Sequence, residues 1–202
     1  MRRFERQSGF SLIEVAVAIT IFAILVAMTV PSMKTWIANA RVRAVADALQ
    51  NGVRMAQAES MRRSRQVVFA LTNSTTPQNG FTAAQSGTYW AIAYIPAMTD
   101  GSDTATYIQG GVLGSESANV QINGPAEICF NSVGRLITNA ATGVAGGTCT
   151  APVGAGPNPP TSNYDVSLTG AEYTLRVEVG LGGQVHMCYP TQTLTNANTY
   201  GC

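Results

Sequence analysis

Charge is scarce in this chain, and imidazole almost absent. Charged residues make up 11% of the 202, and His186 is the one histidine. With one imidazole, a Ser-His-Asp or Cys-His catalytic set could be built only through His186, which is expected to face solvent or a sheet edge. No C-x-x-C occurs, and a single histidine disfavours a Cys/His zinc site. The glycine-rich run Gly110-Gly111-Val112-Leu113-Gly114 lacks the Lys-Ser/Thr pair of a phosphate loop and reads as a turn. Asp100-Gly101-Ser102-Asp103 offers oxygen ligands, but Asp-Gly reads first as a turn rather than a calcium loop. No internal repeat is present. The expectation is a chain that is not an enzyme and needs no cofactor.

The most informative scarcity lies near the N-terminus. Residues 10–30 contain no Lys or Arg and a single acid, Glu14. An apolar span of ~20 residues is long enough to cross a bilayer as a helix. Arg2, Arg3 and Arg6 precede it, which by the positive-inside rule leaves the bulk of the chain outside the cytoplasm. A carboxylate inside such a span is costly and marks a functional position. Since the span holds no cation, the partner of Glu14 must come from another chain or from a new amino terminus. A secretory signal peptide fits poorly, because Val30-Pro31-Ser32 is not a small-residue cleavage site and the apolar run is long. A plain membrane anchor leaves unexplained why Glu14 sits so near the cytoplasmic end.

Gly9-Phe10-Ser11-Leu12-Ile13-Glu14 resembles the class III leader junction of type IV pilins and type II secretion pseudopilins. In that family a prepilin peptidase cuts after the glycine and methylates the new first residue. The resemblance implies cleavage between Gly9 and Phe10, N-methylation at Phe10, and assembly through Glu14 as residue five of the mature chain. Pro31 falls where many family members carry a helix-bending proline. The expected organisation is a leader at 1–9, a transmembrane and assembly helix at 10–31, an amphipathic helix at 32–65 and a β-rich head at 66–202. Loss of the leader would leave nine basic and ten acidic residues. The charges are unevenly placed. From residue 66 onward there are two arginines, Arg135 and Arg176, against seven acids, so an acidic head follows a basic stem.

The helix is expected to continue past Pro31, which would kink or loosen it. Met33, Trp36/Ile37, Ala40, Val45, Leu49, Val53 and Ala56 recur at helical steps and predict one apolar face with arginines opposite. Gly52, inside that helix, suggests a close backbone contact. Beyond it, strands are expected at 67–71, 88–95, 107–109, 119–122, 127–130, 135–137, 172–179 and 183–188, the last two as a hairpin turning at 180–182. Residues 138–163 read as a long surface loop that needs a tether or a function. Four cysteines, Cys129, Cys149, Cys188 and Cys202, all lie in the external part and suggest two disulfides. Three pairings are possible; the most economical joins Cys129 to Cys149 and Cys188 to Cys202. A long helix followed by an antiparallel sheet is an α+β arrangement, which agrees with the lollipop fold the resemblance implies.

The head is similar to the GspH/FimT/FimU group of minor pilins. Phe130-Asn131-Ser132-Val133-Gly134-Arg135 fits an F-x-x-x-G-R step, and the closing hairpin fits that group's final pair of strands. There the last strand often begins G-R-V-R, an arginine motif tied in the FimT branch to DNA uptake. Here the matching residues are Gly183, Gln184, Val185 and His186, without either arginine. That departure and the acidic head disfavour a DNA-binding competence role, since DNA affinity comes mostly from Lys and Arg neutralising phosphates. The resulting expectation is a minor type IV pilin, with a GspH-like minor pseudopilin of a type II secretion system as the alternative. Its partners would be other major and minor pilins, the prepilin peptidase, the inner-membrane assembly platform and, before assembly, the lipid bilayer. It would sit in the inner membrane by a single pass, head in the periplasm, until assembled.

Overall fold

The computed structural model describes residues 9–97, 103–113, 119–153 and 160–202, with the backbone alone at 28–31. The leader residues 1–8 and the Asp100–Ser102 part of the Asp-Gly turn lie outside the described residues. One helix, α1 (Leu12–Arg63), runs unbroken for 52 residues, through Pro31. At 1.5 Å per residue it is roughly 80 Å long. Ser11 begins it in extended backbone, its carbonyl accepting from the amides of Glu14 and Val15 at 3.0 and 3.2 Å. Ser64 ends it in the left-handed region at φ 50°, where the amides of Ser64 and Arg65 reach back to Met61 and Ser60.

Only the second half of α1 packs. Ala38, Val42, Val45, Ala46, Leu49, Val53 and Ala56 are buried at steps of one to four residues, the spacing of one helix face. The apolar face expected from Met33 onward begins later than the sequence suggested. Met33, Trp36 and Ala40 are exposed, and Ile37 is 39% exposed. The edge of the head is the reason: the strands first cover the helix at Ala38, leaving the preceding turn and a half bare.

The head is two antiparallel sheets where a single one was expected. The first takes β1 (Val67–Thr72), β2 (Tyr89–Tyr94), β3 (Thr106–Val112), β5 (Glu127–Phe130) and β6 (Leu136–Ile137), in the order β3-β2-β1-β5-β6. The second takes β4 (Gln121–Asn123), β7 (Thr161–Ser167), β8 (Leu175–Gly180) and β9 (Val185–Cys188), in the order β4-β7-β8-β9. The main core fills the space between α1 and both sheets. Phe69 of β1 stacks on Trp90 at 6.1 Å and meets Tyr164 of β7 edge-on at 6.4 Å, so one ring ties the two sheets together. Gly52 of α1 lies against this pair; a Cβ there would come within 3.0 Å of both Phe69 and Trp90.

Three segments differ from the sequence reading. Gly110 and Gly111 belong to β3 instead of a turn, because the Trp90 indole lies across that strand and a Cβ on Gly111 would sit 2.8 Å from it. Residues 161–163, expected at the end of the loop, form β7 together with 164–167, an interior strand of the second sheet. Its apolar signal is only Tyr164 and Val166, both fully buried, while Asp165 between them pairs across the strands with Arg176 at 2.6 and 2.9 Å. The remainder of the loop is not simply surface. Val144 and Cys149, with Phe81 and Ala83, cover the outer face of the first sheet over Val68, Ala70, Ala91, Ala93 and Cys129. That cover is why β1 is buried on both faces. In the last hairpin, β8 starts at Leu175, not at residue 172; its pairing with β9 runs from Arg176 to Val179, and the turn closes through Gly180 and Gly183.

Candidate functional site at the N-terminal helix

The site is the start of α1. Gly9, Phe10 and Ser11 lie in irregular, exposed backbone immediately before the first helical turn, with Phe10 84% exposed. A Cβ on Gly9 would meet nothing within 4 Å. Packing within this chain therefore does not demand glycine there, and neither does a left-handed backbone.

Glu14 occupies the first turn of α1, where a negative charge suits the positive end of the helix dipole. Around it, Phe10, Val15, Ala18, Ile19 and Phe22 line an open apolar groove of about 560 Å³. No ion pair to Glu14 forms among the described residues. The 18-residue apolar window of this helix has a mean hydropathy of 2.5 and no part of it is buried in the fold. The arrangement is a helix with bare apolar sides and, near its tip, one acid without an ion pair among the described residues. It suits insertion in hydrocarbon and lateral packing against like helices, provided a cation meets Glu14.

The cysteines are brought together in two pairs. Cys129 of β5 bonds Cys149, fastening the covering loop to the sheet, and Cys188 of β9 bonds Cys202, fastening the tail to the edge strand. Glu178 lies beside the second pair, but sulfurs committed to a disulfide are not thiolate ligands for a metal. His186 is exposed on β9, an edge strand, with Nε2 at 3.2 Å from Glu178. Nothing nucleophilic adjoins it among the described contacts.

The basic stem is largely engaged inside the chain. Arg54 donates to the Val185 carbonyl at 3.0 Å. Arg62 and Arg63 both clasp Glu59 at 2.7 Å, and their hydrogen bonds hold its carboxyl below the ordinary range. Arg65 meets Asp103 at 2.7 Å; the Ala97 amide and then Arg65 lower the Asp103 carboxyl. Arg63 and Arg65 also flank the ring of Tyr94, at 4.6 and 5.4 Å from its centre. In the hairpin matched to the arginine motif, Gln184 sits at the glycine turn, and the Gly134 carbonyl accepts from Gln57 of α1 at 3.0 Å.

Sequence reasoning missed Glu127. It counted only as one more acid of the head, yet its side chain is fully buried and neither oxygen makes a hydrogen bond of ordinary length. Gly147 of the covering loop lies directly against it; a Cβ there would come within 2.9 Å of the carboxyl carbon. Burial pushes the Glu127 carboxyl up to about 6, with Thr142 opposing part of the rise. The available signal was its place in a strand with Ile128-Cys129-Phe130, an apolar run in which every position is buried.

Residues 5–30 match the family model described as the prokaryotic N-terminal methylation motif. No curated protein matches the sequence. Among solved structures, the chain is similar to the type IV minor pilin FimU of Pseudomonas aeruginosa in two crystal forms. In one the identity is 13% over 72% of this chain and 87% of that one, with a TM-score of 0.45. In the other it is 12% over 72% and 90%, with a TM-score of 0.42.

Proposed function

We propose that this chain is a minor type IV pilin, a subunit that is cut after Gly9, methylated at Phe10 and built into a fibre through the bare half of α1. The observation that carries the reading is the N-terminal methylation motif at 5–30, set on an apolar helix whose one acid has no ion pair among the described residues. Cleavage would place an ammonium on Phe10, four residues before Glu14. A neighbouring subunit's terminus would then supply the cation that this span lacks. At an apolar helix interface such a pair is worth more as a register device than as net stability, because desolvation offsets much of the attraction. Before assembly the same helix would hold the chain in the inner membrane, head in the periplasm. Its partners would be other pilins, the prepilin peptidase and the assembly platform.

The test is mass spectrometry of the membrane-extracted protein. The expected start is an N-methylated Phe10, and Gly9→Val is expected to leave the leader in place. A mature chain beginning at Met1, or beyond Ser32, would end this reading.

A minor pseudopilin of a type II secretion system would share each of these features, and the genes beside this one decide between the two machines. A DNA-receptor role is disfavoured by Gln184 and His186, by the carboxylate of Glu178 beside that imidazole, and by the engaged arginines of the stem.

A further inference from the structure

Residues 139–149 of the covering loop are built as a fixed stem and a lightly held tip. Asn139 and Cys149 exchange both backbone hydrogen bonds at 2.9 Å, and the Cys149 sulfur is bonded to Cys129 of β5. Between them the tip, 140–148, reads Ala-Ala-Thr-Gly-Val-Ala-Gly-Gly-Thr. Among the described residues one backbone hydrogen bond ties it to the rest of the head, from the Ala83 amide to the Ala145 carbonyl at 2.7 Å. Val144 is its one apolar plug in the outer cluster. Gly143 and Gly146 stand at φ 73° and 94°, a left-handed backbone that glycine adopts freely, so the chain can turn on either side of the plug.

Beneath the tip lies Glu127. It stands opposite Ala70 in the ladder of β5 with β1, is fully buried, and has Gly147 of the tip against its carboxyl group. Thr142, also on the tip, is the one group that opposes the effect of burial. No ion pair to Glu127 forms among the described residues. Residues 66–99, which supply β1, β2 and the segment under the tip, contain no charged side chain, and neither do residues 136–164. The segments 98–102, 114–118 and 154–159 hold no Lys, Arg or His. The titratable groups near Glu127 are phenols, Tyr164 in the main core and Tyr107 at the margin of the outer cluster. Phenols carry no charge in the acidic range. An ionised carboxylate enclosed in this way calls for water. The sheet is laddered and the stem cross-linked, so the tip is the wall that can yield.

We propose that the tip is a pH-operated lid, closed over Glu127 while its carboxyl is protonated and turned off the outer face of the first sheet when the carboxylate forms. The stem and the disulfide keep the lid attached, so opening is local and reversible. Acidic and neutral surroundings therefore meet two different outer faces of the same head, one sealed and uncharged, the other carrying an accessible acid. The Glu127 carboxyl titrates at 4.5 when free and at about 6 under the tip, so opening becomes easier as the pH rises through that interval. The gain is about thirtyfold in all and levels off above it.

The test is amide hydrogen exchange, read residue by residue on the full chain in detergent micelles with both disulfides intact. Rates are corrected for the intrinsic pH dependence of exchange. The reporters are the Ala83 amide, bonded to the tip, and the Val144 amide, bonded to Thr142 Oγ1 at 3.2 Å. Their protection is expected to fall by about thirtyfold between pH 4.5 and 6.5. It should be insensitive to low urea, because a lid exposes little surface, whereas exchange in β8 should follow urea. Glu127→Gln should hold both reporters at their acidic protection at every pH. Gly147→Ala, whose Cβ would come within 2.9 Å of the carboxyl carbon, should lower the protection already at pH 4.5.

Reporter protection that does not change with pH overturns the proposal, as does an equal change in Glu127→Gln. Exchange of both reporters only through the urea-dependent opening that frees β8 would make Glu127 a determinant of whole-head stability and remove the lid. A Gly147→Ala chain as well protected as the parent would show that the tip does not rest on the carboxyl, and the lid would fail on that ground.

Discussion

The two halves of α1 are one continuous helix in two different surroundings. From Leu12 to Ala27 every side chain is exposed, and Phe22, Ile19 and Leu25 stand 58% or more accessible. From Val42 to Ala56 five positions on one face, Val42, Ala46, Leu49, Val53 and Ala56, are fully buried against the sheets. The backbone is the same; the distribution of apolar residues around it differs. The first half is apolar all round and has no polar face to turn toward water, so its proper surroundings are lipid or other helices. The second has one apolar stripe and a charged face, so it is satisfied within its own chain. Each region also carries an acid in apolar surroundings. Glu14 has no ion pair among the described residues, whereas Glu127 is sealed in by its own fold.

The largest expected effect breaks the comparison at Glu14. Glu14→Ala should insert in the membrane and be cleaved normally, yet be lost from sheared fibres and from co-purification with other pilins. Normal incorporation would show that the acid is not the assembly contact. Glu14→Asp should recover part of the function, limited by its shorter reach.

Stability separates the halves next. Leu49→Ala removes a fully buried side chain from the main core and should cost about 2–5 kcal/mol in denaturant unfolding of the full chain in detergent. Ile19→Ala, on the bare half, should leave the unfolding midpoint of the head unchanged. A shift of the same size in both would mean that the first half also packs on the head.

The smallest effect sharpens the contrast between the two acids. The carboxyl of Glu127 is raised from 4.5 to about 6, so the folded head binds its proton more tightly than the unfolded chain does. Its stabilising contribution is therefore complete below about pH 4.5 and is lost as the pH rises through about 6. The difference amounts to at most ~2 kcal/mol, at 1.36 kcal/mol per pH unit of displacement. Glu127→Gln should flatten this part of the profile. A head whose stability instead rises from pH 5 to 7 through Glu127 would mean that the ionised form has a partner in solution.

Much of the molecule is legible in sequence wherever the pattern is local. The α+β class, the helix passing through Pro31 and the strands β1, β2 and β5 follow from short-range periodicity. Where the reading failed, the reason was long-range. β7 has only Tyr164 and Val166 to declare it, and it is a strand because β4 and β8 flank it. Gly110 and Gly111 resemble a turn until the Trp90 indole is placed over them. The polar run carrying Cys149 resembles free loop until the bond to Cys129 lays it across the outer sheet.

The sequence by itself determined the chemistry of the N-terminal tip: the glycine-phenylalanine junction, the acid four residues later and a span without cations. These depend on residue order along one helix, which a periodic backbone converts directly into position. Tertiary structure alone decided that the head has two sheets, that Glu127 is sealed against Gly147, and that Tyr164 of one sheet meets Phe69 of the other. Those juxtapositions join residues far apart in the chain. They are set by how apolar faces share a core, which no local pattern encodes.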